Sequence, residues 1–211
     1  MKMHYHWITR TCAGAFALVL AASLQAQTMT RFEAQTTGSQ VKIEGTSTIH
    51  DWDVKSPIIG GYMNIDSAVL SKPTPGKVKA EVDVTIPVRS LKSYKTSMDE
   101  VMQEHMNYKQ YKVIKYRLSE LTLKEAPKDP KGPLAFDAKG QLVVSGTTNV
   151  VSFPITMTPM DGNKMKITSG KIPLKMTSFN IKPPEPKIGL GLIKTGDDVT
   201  ITFDWMTAKA N

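Results

Sequence analysis

The chain reads as an all-β protein on three observations. Apolar and polar residues alternate with a period of two through most of its length, the mark of half-buried strands. Gly, Pro, Asn and Asp clusters separate those runs at turn positions. A single short segment follows a helical period instead. At 211 residues and 40% apolar content, the chain has the size of one large β domain rather than two. Its aromatic and β-branched content supports a sizeable core and excludes disorder.

The N-terminus stands apart from this pattern. Lys2 and Arg10 precede an apolar run at residues 12–24, and Gln25, Ala26 and Gln27 follow it. That is the order of a secretory signal peptide, with cleavage expected after Ala26 and Ser23 as the alternative position. The run is shorter than the roughly 18 apolar residues a membrane span needs, and no second such run exists. The expected division is therefore residues 1–26 as signal peptide and 27–211 as the β domain. Cleavage removes Lys2, Arg10 and Cys12, the only cysteine, which leaves 25 basic against 19 acidic side chains. A mature chain without cysteine has no disulfide, thiol nucleophile or zinc-thiolate site.

Each element then follows from its residues. Val41, Ile43 and Ile49 share one phase around Gly45 and Ser47; Val78, Ala80, Val82, Val84 and Ile86 alternate with charged or polar neighbours. Ile114, Tyr116 and Leu118 occupy one phase and Leu121 and Leu123 the other, which predicts a bulge near Ser119 or Glu120. Phe136, Ala138, Leu142 and Val144 form the next strand, then Val151, Phe153, Ile155 and Met157, and finally Val199, Ile201, Phe203 and Trp205. Asp161, Gly162 and Asn163 are a strong hairpin signal, and residues 145–148 make another break. Residues 72–76 and 124–133, both containing prolines, read as surface loops. The one helix is expected at residues 97–107: Ser97 and Glu100 have capping-box spacing, and Met98, Val101, Met102, His105 and Met106 recur at intervals of three and four. Eight to ten antiparallel strands and one helix fit a closed barrel or a two-sheet sandwich.

Catalytic patterns are scarce. The mature chain keeps two histidines, His50 and His105, and carries no GxSxG, HExxH, P-loop or dinucleotide-binding motif. His50 stands beside Asp51 and Asp53, but neighbouring strand residues point to opposite faces, so a turn or strand-end role is expected. No catalytic residue, metal site or cofactor is predicted. Lysines on the polar phase of the strands, such as Lys77, Lys79, Lys164, Lys166 and Lys175, read as a solvated face and are not interleaved with aromatics as nucleic-acid surfaces are. Nucleic acid is excluded as a partner, whereas an anionic membrane surface fits the positive balance. The sequence leaves the oligomeric state open, a homodimer included. The inward strand phase carries Gly45, Ser47, Ala80, Ala138 and Gly140 among larger apolar residues. An eight-stranded barrel with such a mixture is either plugged or holds one small ligand.

Four strings carry a family resemblance: GTSTIHDWDV (residues 45–54), VTIPVRSLKS followed by SMDEVMQEHM (84–106), GQLVVSGTTNVVSFPI (140–155) and MTSFNIKPPEPKIGLGLIKTGDDVTITFDW (176–205). In this order they resemble the YceI-like family of periplasmic lipid- or polyisoprenoid-binding proteins. Lys112 stands where the family usually has a proline. The resemblance implies an extended lipocalin-like antiparallel β-barrel with one short helix near its mouth, periplasmic or secreted, with an isoprenoid or other lipid ligand inside and no catalysis. The alternative is a ligand-free structural or interaction barrel. Candidate ligand-binding residues are Met98, Met102 and Met106 on the helix, Ala80, Val82 and Ala138 of the inward strand phase, and Phe179, Ile188, Leu190 and Leu192 of the Pro-rich loop. Three methionines four apart form one stripe able to repack as a chain enters. The helix and this loop are thus the expected lips of an entrance.

Overall fold

The computed structural model describes residues 28–129, 132–185 and 193–210. The expected signal peptide, Cys12, and the loop residues Ile188, Leu190 and Leu192 lie outside them. In chain order the elements are β1 (Met29–Ala34), β2 (Gln40–Ser47), β3 (Trp52–Ser56), β4 (Gly60–Asp66), α1 (Ser67–Ser71), β5 (Gly76–Val78), β6 (Ala80–Pro87), α2 (Thr96–His105), β7 (Val113–Leu123), β8 (Leu134–Val144), β9 (Thr147–Met160), β10 (Lys164–Ser169), β11 (Ile172–Lys175) and β12 (Thr195–Lys209).

Eight of these strands close a ring in the order β1, β4, β6, β7, β8, β9, β10, β12 and back to β1. The closing contact pairs Phe32 with Lys209 and Ala34 with Thr207. Every pairing between the named strands is antiparallel, and short turns join β8 to β9 and β9 to β10. Ser145 and Gly146 both take positive φ, 49° and 78°, which lets two residues join β8 to β9. Gly162 and Asn163 also take positive φ, 70° and 58°, in the three-residue turn between β9 and β10. The bulge falls where the change of phase places it, with the register shifting between Leu118 and Glu120. An extra residue on one strand moves Leu121 and Leu123 onto the face that Tyr116 and Leu118 occupy before it.

β12 spans both ends of the barrel. Its first half pairs with β2 and β11, and its second half with β10 and β1. At the lower end Phe32, Ile65, Val69, Leu123, Leu134, Phe136 and Met165 are all at most 7% exposed and fill the interior. At the upper end β3 pairs with β2 but reaches the neighbouring wall through one bridge, Lys55 to Lys92.

Two expectations about helices are corrected. Among the described residues there are two α-helices rather than one, because α1 follows β4 as a five-residue turn whose start is capped by Asp66 accepting from the Ala68 amide at 2.9 Å. A single buried side chain, Val69, anchors it, too few to write a helical period into the sequence. α2 begins a residue earlier and ends two earlier than expected, and the Ser97–Glu100 capping box does not form: its N-cap is Lys95, with no side-chain cap. The carboxylate that anchors this end is Asp99, which reaches back to Ser93.

The candidate ligand cavity and its mouth

Between the filled lower end and α2 the barrel holds a cavity of about 480 Å³, inside the range of small-molecule sites. Its wall includes the inward phase of eight strands: Val82, Val84 and Ile86 of β6, Ile114, Tyr116 and Leu118 of β7, Leu142 and Val144 of β8, Val151, Phe153 and Ile155 of β9, Val199, Ile201 and Phe203 of β12, with Ile43 of β2, Val54 of β3 and Leu174 of β11. α2 lies across one end and turns Met98, Val101, Met102, His105 and Met106 toward the same space.

Of the candidate residues, Met98, Met102, Met106, Val82, Ala138 and Phe179 border the cavity together. Ala80 does not. It packs against the core lower on β6, paired with Ile65. Two of the small inward residues also fail to leave the room expected of them. The Trp52 ring lies over Gly45 so closely that a Cβ there would stand 2.2 Å from it, and the indole Nε1 donates to the Thr46 carbonyl at 2.9 Å. Tyr116 fills the niche over Gly140, where a Cβ would meet its ring at 2.6 Å and the Arg117 carbonyl at 2.4 Å. The glycines seat aromatic rings in the wall, and the open volume comes from barrel girth beneath the helix.

Tyr116, Phe153 and Phe203 form an aromatic row, with centroids 5.5 Å and 6.0 Å apart. The Tyr116 hydroxyl is buried without a partner among the described residues, as is the Trp205 indole nitrogen. Burial disfavours the phenolate and raises the Tyr116 pKa far above the ordinary tyrosine value.

A ring of hydrogen bonds frames the mouth. His105 Nδ1 meets the Lys182 carbonyl at 2.8 Å, the Thr195 amide donates to Pro184 at 3.1 Å, and the Thr48 amide donates to Lys194 at 3.0 Å. The Ser47 amide and hydroxyl both donate to the His50 carbonyl, closing a turn that carries Ile49. Lys55 and Lys92 then exchange backbone bonds of 2.9 and 2.8 Å, which returns the frame to the start of α2. Ile49, 59% exposed, and the exposed His50 and Lys95 border the cavity, so it opens to the surface here. The expected strand phase of Ile49 with Val41 and Ile43 is corrected here: β2 ends at Ser47 and Ile49 lies on the turn after it, where turn backbone, not strand phase, decides where a side chain points.

The helix start is held by charge. Asp99 Oδ1 accepts from the Ser93 amide and hydroxyl, each at 2.7 Å, and Oδ2 lies 3.3 Å from Lys92 Nζ. Burial pushes the Asp99 carboxyl up, but the Ser93 hydrogen bonds and Lys92 outweigh it, so its pKa lies below the ordinary aspartate value. Neither His50 nor His105 sits in an acid–base pair: His50 Nδ1 bonds the Asp51 carbonyl at 2.8 Å, as His105 bonds Lys182. Among the described residues no group of three His, Cys, Asp or Glu is placed to hold a metal ion, and no helix is long and apolar enough to cross a membrane.

A model of the YceI-like domain matches residues 22–206. The chain belongs to the YceI-like family. Solved structures similar to this YceI-like chain include a polyisoprenoid-binding domain from Saccharophagus degradans implicated in plant cell wall breakdown, at 12% identity and a TM-score of 0.62, with 85% of this chain and 98% of that one covered. BcnA from Burkholderia cenocepacia is similar at 17% identity and a TM-score of 0.61, over 82% and 98% of the two chains. The YCEI protein of Campylobacter jejuni follows at 14% and 0.51, over 73% and 82%. At these identities the likeness shows the fold. No curated protein matches the chain.

Proposed function

We propose that this YceI-like protein is a non-catalytic periplasmic binding protein that holds a long apolar chain, an isoprenoid or other lipid, inside its barrel. The observation that carries the reading is the cavity of about 480 Å³ whose deep wall is aliphatic and aromatic side chains and whose one polar end opens beside α2. The plugged-barrel alternative requires that interior to be filled by side chains. The naming of the Saccharophagus degradans neighbour as a polyisoprenoid-binding domain supports the same ligand class, and the leader pattern at residues 1–26 supports export. The methionines of α2, with Val82, Ala138 and Phe179, are the chain-contacting groups.

The energetics suit this role. Each buried methylene contributes about 0.8 kcal/mol, so a chain of a few isoprene units offsets the cost of association without a charged anchor. Methionine side chains in α2 adapt to an irregular chain at little strain. His50 and His105, each bonded to a carbonyl, support a role without catalysis.

The test is direct. Organic extraction of the purified protein followed by mass spectrometry should recover an apolar chain, or offered isoprenoids should be taken up. A clean preparation that takes up none sinks the reading. Met102→Asp, which puts a charge on the cavity face of α2, should lower lipid retention while the β circular dichroism persists. Unchanged retention would place the entrance elsewhere.

A further inference from the structure

The polar groups that border the cavity are sorted by sign. Its charged or chargeable members at the mouth are His50, Lys95, His105 and Lys175, joined by the neutral Ser47, Ser97 and Thr195. No aspartate or glutamate borders it among the described residues. The segments that build the mouth do contain acids, but among the described residues none of these borders the cavity. Asp51, Asp53 and Asp198 border a separate groove on the outside with Glu44, and Asp99 is bound to Ser93 and Lys92.

The cations at the mouth are not equivalent. Lys175 is neutralised by Asp198 at 2.8 Å and Asp197 at 3.9 Å. Lys95 is exposed at the N-cap of α2 and forms no ion pair among the described residues. The imidazoles of His50 and His105, which also border the cavity, carry no negative charge. A mouth of this composition gives an oxyanion a favourable partner and gives a cationic head none.

We infer that the ligand is an amphiphile with an anionic oxygen head, a carboxylate or a phosphate, which sits at the mouth against Lys95 while its chain fills the cavity. This rests on the chain-binding reading above and adds the class of head group to it. The chain supplies most of the affinity, and the head sets orientation and selects among chains of equal length. Because Lys95 is exposed, its contribution is screened, and the selectivity is modest and salt-dependent.

Three probes with one chain test it: farnesol, farnesoic acid and farnesyl phosphate, each competing against neutral N-phenylnaphthylamine in the full mature protein. Both anions should bind more tightly than farnesol at low salt, by about three- to tenfold, with the gap closing near 1 M salt. The ratio between the two anions tells carboxylate from phosphate. Lys95→Gln should remove about threefold or more of the anion preference. Lys164→Gln, the same charge change at the β9–β10 hairpin of the far end, should leave that preference intact. Equal binding of farnesol and both anions, or an equal loss in both variants, overturns the inference while leaving chain binding in place. Failure of all three probes to compete overturns chain binding itself.

Discussion

At the residue scale, the Tyr116 hydroxyl is buried beside Gly140 with nothing to donate to among the described residues. An unsatisfied buried hydroxyl costs about 1–3 kcal/mol, so Tyr116→Phe should keep the ring packed over Gly140 and raise the stability by about 1 kcal/mol. Urea unfolding checks this: the midpoint should rise with the slope unchanged, and a lower midpoint would mean that the hydroxyl has a stabilising partner. Gly140→Ala makes the complementary test. Its Cβ would meet the Arg117 carbonyl at 2.4 Å as well as the ring, and a strand backbone cannot yield as a side-chain tip does. A loss of about 1–3 kcal/mol is expected, and a neutral result would show that the β7–β8 pairing is loose there.

At the element scale, α2 depends on one carboxylate. With its folded pKa below the unfolded value of about 3.9, Asp99 contributes stability that is fully present above that value and lost as pH falls through the folded pKa. Asp99→Asn should therefore destabilise the protein at pH 7, by about 1–3 kcal/mol for hydrogen bonds to a charged group, and the gap to the wild type should shrink on acidification toward pH 3. A gap independent of pH would mean that shape, not charge, holds the helix start. What the sequence discloses about this element has a physical limit. The interval of the methionines reveals the helix and its inward stripe, because a buried face must repeat every three or four residues. Ser97 and Glu100 have the spacing of a capping box, yet Ser93, six residues before Asp99, supplies the contact, and spacing alone does not choose between them. The strands are legible for a similar reason, since one buried face forces a period of two whichever strand lies alongside. The rings of Trp52 and Tyr116 over Gly45 and Gly140 are not, because they depend on partners across the sheet.

At the scale of the whole molecule, the ring closes only when β1 meets β12, joining Phe32 to Lys209, and the alternation of either strand carries no sign of that pairing. Closure leaves the lower barrel no open edge to aggregate and ties all eight strands into one structure, so thermal unfolding should be a single cooperative step. Two separated steps would assign the upper strands β2, β3 and β11 to a unit of their own. The same closure makes stability report on the ligand. The lower end is dense with buried side chains, whereas the upper end surrounds a cavity, so the empty barrel forgoes contacts that an apolar chain would supply. A ligand present at a hundred times its dissociation constant adds about 2.7 kcal/mol. For a domain of this size each kcal/mol moves the melting temperature by about 2–4 °C, which predicts a rise of roughly 5–10 °C on loading delipidated protein with an apolar chain. The rise should grow with ligand concentration, as mass action requires. A melting temperature indifferent to added isoprenoid at every concentration would mean that the cavity does not hold the chain in the folded state.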